Sequence, residues 1–386
     1  MSLMLDGPVA DLRAAIDRVL ADGDSSSETI VAVHVELARL DAATTQKVGT
    51  WEASGDWRRD GARCASAWLT ARCRVAPGTA GSRVKMARAL RTMPATADAW
   101  QRGEISSDAA GLLMRTRNNR TAEHFERDEA DLVDSARTMT YKKLSGVLTY
   151  WSMHADPDGA EDFASKLFND RRAHLSTTFG GAVVGDQLFD PIGGAVVANV
   201  LKRIEDELFE ADWAEARAAK GDAATVDDLC RTPAQRRCDA FVEMARRAGA
   251  MPAGARLPEP LFTVVVGWET FSGRLCELAN GTVVTPGSLV RWLDEAWAER
   301  VVFSSPSRVI DVGVRRRLFR GATRRAIDVR DRECFHPMCE EPAEWCQGDH
   351  VLPFSADGPT TQDNGQPACR FHNRLRERER ERRSDE

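Results

Sequence analysis

Cys334 and Cys339 stand near the C-terminus with four residues between them, and Cys369 and His372 follow with two residues between them. Two short Cys/His pairs joined by a loop can meet as a tetrahedral zinc site, closing a segment too small to bury a core of its own. Cys334, Cys339, Cys369 and His372 are the expected ligands. Cys346 and His336 lie inside the same stretch and are alternative donors. They rank lower, because Cys346 is close enough to Asp349 to share its strand and His336 falls in the loop of the first pair. A zinc ion with four protein ligands has no open position for a substrate, so the expected role of the clip is to hold the fold. Any chemistry must come from Asp349-His350, Asn364 and Asn373, which stand between and beside the clips. An imidazole titrates near neutrality and suits proton transfer at a phosphate ester.

The order Asp349-His350, Val351 to Pro353, Asp357-Gly358, Asn364, Cys369-x2-His372 and Asn373 spans about forty residues. It resembles an HNH endonuclease module of the zinc-clipped type. The resemblance implies a ββα-metal fold, in which a two-stranded hairpin carries Asp349-His350 and a following helix carries the last signature residue. His350 would be the general base for the attacking water, Asn364 would position the strand bearing it, and Asp349 would ligate a catalytic divalent ion that neutralises charge on the scissile phosphate. The last signature position, normally His, is Asn373 here. One Asp and one Asn offer hard oxygen ligands, which suit Mg2+ or Mn2+. The substitution leaves three arrangements open. A functional His-Asn-Asn variant is favoured, because Asp349 keeps the site anionic. The others are a degenerate inactive copy, and a shift of one residue in which His372 leaves the clip to serve the catalytic ion.

The positioning elements follow from local pattern. Asp357-Gly358 is a turn signal between extended runs. Arg370 to Arg383 contains no Gly or Pro and reads as an exposed helix. Upstream, Val9, Leu12, Ile16 and Val19 recur at helical spacing, and Ile30, Val33, Leu37 and Leu40 do so again after Ser25 to Ser27. Trp68 to Arg74, the turn Val75 to Gly78, and Thr79 to Leu90 form a helix-turn-helix pattern. It can present Arg83, Lys85 and Arg88 to DNA, although plain scaffold is the favoured reading. A plausible hairpin lies within Arg172 to Leu188, a long helix opens at Pro191 and runs through Ala219, and Leu261 to Trp268 reads as a buried strand. Val301 to Ile310 reads as a small hairpin. Thr232 is a helix N-cap with Pro233 at the first helical position. Trp51, Trp57, Trp100, Trp151 and Trp213 read as helical core rather than base-stacking platforms.

With 386 residues, 42% hydrophobic and 29% charged, the chain has the composition of a soluble protein large enough for two or three domains. No apolar run of membrane-spanning length occurs, and Met1 to Val9 lacks a signal-peptide pattern, so a cytoplasmic location without membrane insertion is expected. Cys64, Cys73, Cys230, Cys238 and Cys276 are scattered singly and read as reduced, buried thiols. The net charge of -6 opposes a nucleic-acid partner. Its distribution favours one, because Arg315, Arg316, Arg317, Arg320, Arg324, Arg325, Arg330 and Arg332 form a basic run before the cluster and further arginines follow it. The first run is read as DNA contact; the Arg/Glu tail after Arg374 is equally a solvated helix face. No phosphate-binding Gly-rich loop and no Gly-x-Ser-x-Gly elbow appear, which removes support for nucleotide hydrolysis and acyl transfer.

Four upstream stretches, Met93 to Thr96, Gly103 to Ser106, Leu188 to Gly194 and Arg231 to Ala240, carry a second resemblance. They are similar to the domain of unknown function that precedes an HNH module in a large actinobacterial family, including mycobacterial repeat-element proteins. This covers roughly residues 30 to 375 and implies architecture more than activity. The combined expectation is a mainly α chain with small β segments: a helical domain over 1–170, a mixed continuation over 171–310, and a zinc-clipped HNH module with basic flanks over 311–386. The expected activity is DNA phosphodiester hydrolysis with a divalent ion and a structural Zn2+. The alternatives are a DNA-binding protein whose module is inactive, and a zinc-held interaction domain. The fold alone does not choose among the uses of such modules.

Overall fold

A proline opens many of the helices in this chain, consistent with its preset φ and its lack of an N–H at a position where none is needed. The computed structural model describes residues 7–252, 261–265, 276–278, 282–290, 297–301, 318–356 and 358–384. Contacts divide the chain into two units, Met1–Leu148 and Thr149–Glu386.

The first unit is helical: α1 (Pro8–Ala21), α2 (Ser27–Ser54), α3 (Ala65–Cys73), α4 (Pro77–Ala89), α5 (Pro94–Gln101), α6 (Ser107–Thr116), α7 (Ala122–Thr138) and the start of α8 (Tyr141–Ala155). Val48, Trp57, Leu69 and Val84 form a core shared by α2, the turn after it, α3 and α4. The Met93 to Thr96 stretch has a structural role. Glu129 of α7 is buried and accepts 2.8 Å bonds from both the backbone N–H and the hydroxyl of Thr96 in the first turn of α5. A carboxylate suits that position, because helix N-termini carry unpaired N–H groups and partial positive charge.

In the α3–α4 pair, two of the outward arginines are drawn back onto α2. Arg83 bonds Asp41 of α2 at 2.6 Å, and Arg88 and Arg91 both engage Glu52 of α2, at 2.7 and 2.9 Å. Two of the three residues expected to face DNA are therefore neutralised within the unit; Lys85 is exposed. Trp57, Trp100 and Trp213 are buried, while Trp51 and Trp151 are half-buried. The scattered cysteines require a correction. Cys73, Cys230 and Cys238 are exposed and Cys64 is half-buried. Cys64 and Cys73 sit at the two ends of α3, Cys230 in the connection before α11 and Cys238 on α11; the side chain of Cys276 lies outside the described residues.

The second unit contains α9 (Pro157–Asn169), an antiparallel hairpin of β1 (Arg172–Thr177) and β2 (Val183–Leu188), α10 (Pro191–Lys220) and α11 (Pro233–Gly249). Strands β3 (Leu261–Val265), β4 (Cys276–Leu278), β5 (Val283–Val284) and β6 (Trp297–Val301) form a sheet in the order β5-β4-β3-β6, with the short helix α12 (Pro286–Val290) following β5. The strand expected at Leu261 is β3, seen to Val265, while the burial of its side chains lies outside the described residues. Val301 ends a strand parallel to β3, and the rest of the hairpin expected through Ile310 lies outside the described residues.

Asp190 caps α10 by accepting from the Gly193 N–H. Thr232 and Gln235 form a reciprocal capping box at α11. Within the same Arg231 to Ala240 stretch, Arg231 and Arg236 both bond the fully buried side chain of Asp212 on α10, so the motif clamps α11 to α10. The chain then continues through α13 (Gly321–Asp331), the antiparallel pair β7 (Gln347–His350) and β8 (Gly365–Ala368), and α14 (Arg370–Ser384). The protein is mainly helical with small sheets.

Candidate functional site

The two Cys/His pairs converge. Cys334, Cys339, Cys369 and His372 bring one donor atom each to within 4.8 Å of one another. The His372 Nδ1 lies 3.5 Å from the Cys334 Sγ and 3.2 Å from the Cys369 Sγ, and the Cys339 and Cys369 sulfurs are 3.9 Å apart. Zinc at ordinary bond lengths in a tetrahedron needs edges of about 3.8 Å between two sulfurs and about 3.5 Å between sulfur and nitrogen. The group therefore fits a zinc ion. Local folding explains the convergence. The Phe335 N–H bonds the Pro367 carbonyl at 2.8 Å, which ties the first pair to β8, and Cys369 stands between β8 and α14.

Burial, with the neighbouring Cys334 and Cys339 thiols adding to it, pushes the Cys369 thiol up to about 12; burial also raises Cys339. Burial lowers His372, which favours the neutral imidazole that a metal needs. Neither alternative donor joins the group. Cys346 points its sulfur towards the Glu341 carbonyl, and His336 stacks on the His372 ring with centroids 3.9 Å apart. His372 faces the cysteines, so the arrangement shifted by one residue is not the observed one.

His350 ends β7 opposite Gly365 of β8. It is buried at 7% exposure against the Phe319 ring, whose centroid is 4.4 Å away. Side chains at Gly348 and Gly365 would collide with Phe319, so the two glycines admit this ring beneath the sheet. The His350 Nε2 is 2.9 Å from the Thr360 hydroxyl. Asn364 holds the loop that leaves His350: its Oδ1 accepts from the Leu352 N–H at 2.8 Å, and its Nδ2 donates to the carbonyls of Leu352 at 3.1 Å and Pro359 at 2.8 Å. Of the expected turn, Gly358 closes onto the Pro353 carbonyl, while Asp357 lies outside the described residues.

Asp349 and Asn373 are brought near β7 and α14, but each engages a protein group. The Asp349 Oδ2 accepts from the Arg376 Nη1 at 2.6 Å and from the Gln366 Nε2 at 3.3 Å. The Asn373 Nδ2 donates to the Gln347 Oε1 at 2.7 Å. Among the described residues, the Cys3His set is the one group of His, Cys, Asp or Glu donors arranged for a metal.

Of the arginines expected to meet DNA, Arg315, Arg316 and Arg317 lie outside the described residues. Arg320 is exposed and Arg325 half-buried. Arg324 reaches inward, bonding the carbonyls of Ala343 at 2.7 Å and Cys346 at 2.6 Å and pairing with Asp328. Arg330 likewise bonds the carbonyls of Gln362 and Gly365. After the cluster, Arg370 pairs with Asp206 and Glu210, and Arg374 lies over the Trp213 ring at 4.7 Å. Phe319 and Arg376 were not singled out by the sequence reading. Arg376 had one available signal, its helical spacing of three from Asn373, which puts both on one face.

No described helix is long and apolar enough to cross a membrane. The chain is 25% identical to an uncharacterised protein of Mycobacterium tuberculosis, over 97% of this chain and 76% of that relative. No solved structure matches it. The model of the family described as Domain of unknown function (DUF222) matches residues 27–331, ending three residues before Cys334. Most of the chain is covered by that match, and the protein therefore belongs to the DUF222 family.

Proposed function

We propose that the C-terminal segment is an HNH-type module and that the protein is an endonuclease hydrolysing DNA phosphodiester bonds, with His350 as general base and Zn2+ in the Cys3His clip as a structural ion. The observation that supports this most is the Asn364 clamp on both sides of the loop that follows His350. It fixes the end of β7 in the way that such a module needs for its base. In the reaction, the Nε2 contact with Thr360 exchanges for one to water. His350 takes a proton from that water, the water oxygen bonds phosphorus, the P–O bond to one sugar breaks, and the departing oxygen takes a proton from solvent.

Asp349 and Asn373 are the residues that would hold a catalytic Mg2+ or Mn2+. Such ions keep several waters and bind through one or two carboxylates at demanding octahedral geometry. Here the one carboxylate is ion-paired with Arg376 and the amide donates to Gln347, so the arrangement does not fit a resident hard cation. The same two contacts favour a second reading, a DNA-binding module without cleavage.

Supercoiled plasmid incubated with the zinc-loaded protein, with and without added Mg2+ or Mn2+, separates the readings. Nicking that disappears in His350→Ala supports hydrolysis. Salt-dependent binding without nicking supports the second reading, and absence of binding removes both.

A further inference from the structure

We propose that Arg376 is the resident cation of the His350 site: it answers Asp349 and meets the substrate phosphate in the position where a divalent ion was expected. The inference rests on the phosphodiesterase reading above. Its geometric basis is the way Arg376 brackets His350. The Nη1 pairs with Asp349 Oδ2 at 2.6 Å, and the Nη2 donates to the Val351 carbonyl at 2.8 Å, so one guanidinium is bonded to the residues on either side of His350. The pair is sheltered, with the side chains of Arg376 and Asp349 exposed to 21% and 10%. An ion ligated by the Asp349 Oδ2 would compete with this guanidinium.

The chemistry of the facing helix points the same way. Asn373 and Arg376 lie three residues apart on α14, and towards β7 they present N–H donors, the Asn373 Nδ2 and two guanidinium nitrogens. A donor face suits an anion rather than a metal. Guanidinium carries five N–H groups in a planar fork that matches phosphate oxygens, keeps its charge at every relevant pH, and is held here by two fixed acceptors. Among the described residues two of the five bond protein oxygens, and the remainder are the groups that would meet a phosphate arriving beside His350. Preorganised positive charge of this kind can stabilise a phosphoryl centre without a metal ion. The substitution of Asn for the expected His at 373 is consistent with this, because a site answered by arginine does not need a second strong metal ligand.

The test uses the full chain, loaded with one equivalent of zinc and passed through metal-scavenging resin rather than treated with a chelator, so that the clip stays intact. Mn2+ titration followed by electron paramagnetic resonance is expected to show no bound Mn2+ on the wild-type protein at sub-millimolar concentration. Plasmid nicking is expected to persist without added divalent ion and to fall at least ~100-fold in Arg376→Gln, in line with loss of one preorganised donor to the reacting group. Mn2+ binding that Asp349→Asn abolishes, or nicking that requires added Mg2+ or Mn2+, overturns the inference. The Mn2+ titration on wild-type protein needs no variant to fold. Absence of nicking under every condition sinks the phosphodiesterase reading and the phosphate-binding half of this inference with it, while the titration still decides whether Arg376 excludes the ion.

Discussion

Replacing Asn364 by Ala removes three hydrogen bonds at once, one accepted from the Leu352 N–H and two donated to the carbonyls of Leu352 and Pro359. A typical net contribution of about 1 kcal/mol per bond gives about 3 kcal/mol as a ceiling. Leu352 and Pro359 are exposed, so water takes over part of the lost bonding, and the expected cost is about 1–2 kcal/mol. That cost falls on the loop between β7 and β8, because the Val351 N–H still bonds the Asn364 carbonyl through the backbone. Amide hydrogen exchange on the zinc-loaded protein reads this directly. The Leu352 amide should exchange about 5–30-fold faster, the population ratio that 1–2 kcal/mol buys in a two-state opening. Amides in α11 should not change, and zinc content should stay at one equivalent. Asn364→Asp keeps the acceptor and loses the two donated bonds, so it should fall between Ala and wild type. Unchanged exchange at Leu352 in Asn364→Ala would show that the loop is held by other contacts and that Asn364 does not position His350.

Zinc content separates the ligands from their neighbours: Cys369→Ser should lose the metal in elemental analysis, whereas Cys346→Ser should keep it, because the Cys346 sulfur faces the Glu341 carbonyl outside the donor group. A structural zinc stabilises its fold by about 10–16 kcal/mol in apparent binding terms, so zinc retained in Cys369→Ser would refute the assignment. Asp212→Ala leaves Arg236, 4% exposed, and Arg231 without their carboxylate, and urea unfolding should report a loss of about 3–5 kcal/mol. Burial pushes the Asp212 carboxyl up, but hydrogen bonds from Arg231, Arg236 and Cys230 outweigh it and hold it below its ordinary value. Its contribution is therefore complete above the unfolded carboxyl value of about 4 and is lost as pH falls through the lower folded value. The Asp212→Ala protein should lack that acid limb, and an unaltered limb would assign acid unfolding to other groups.

What the sequence made legible was whatever depends on spacing along the chain. Cys334, Cys339, Cys369 and His372 stood out because thiols and imidazoles at those separations have few other uses, and the structure gathers those four side chains. The starts at Pro191 and Pro233 were legible because proline and a capping side chain act within a turn of one another. What depends on a partner far along the chain was hidden. Arg324, Arg370 and Arg374 are alike as letters in a basic run. Only the fold shows that Arg324 binds carbonyls at 343 and 346, and that the other two meet Asp206, Glu210 and the rings of α10. Arg376 was hidden for the same reason, since α14 is so rich in arginine that no single one stood out until Asp349 lay beside it. The exposed cysteines have a simpler cause: residue type sets a tendency towards burial, and helix phase decides it.

The end of the family match at residue 331 looks like a boundary, but the contacts run across it. Helix α13, the last matched element, places Ile327 at 0% exposure beneath Gly365, so close that a side chain at 365 would strike it. Arg330, near the end of the same helix, bonds the carbonyls on either side of Asn364's turn, at Gln362 and Gly365, and Arg324 one face over bonds Ala343 and Cys346 at the approach to β7. The two strands that carry His350 and Asn364's neighbour Gly365 therefore take their floor and part of their backbone bonding from the matched segment. From the other side, α10 meets the clip region through Asn199 with Trp345 and through Lys202 with Glu341. A sheet of two short strands is marginal by itself. The Cys3His group gathers at the end of the pair where β8 meets α14, and α13 supplies the apolar face the pair lacks, so the geometry around His350 is a joint product of the DUF222 segment and the Cys/His segment.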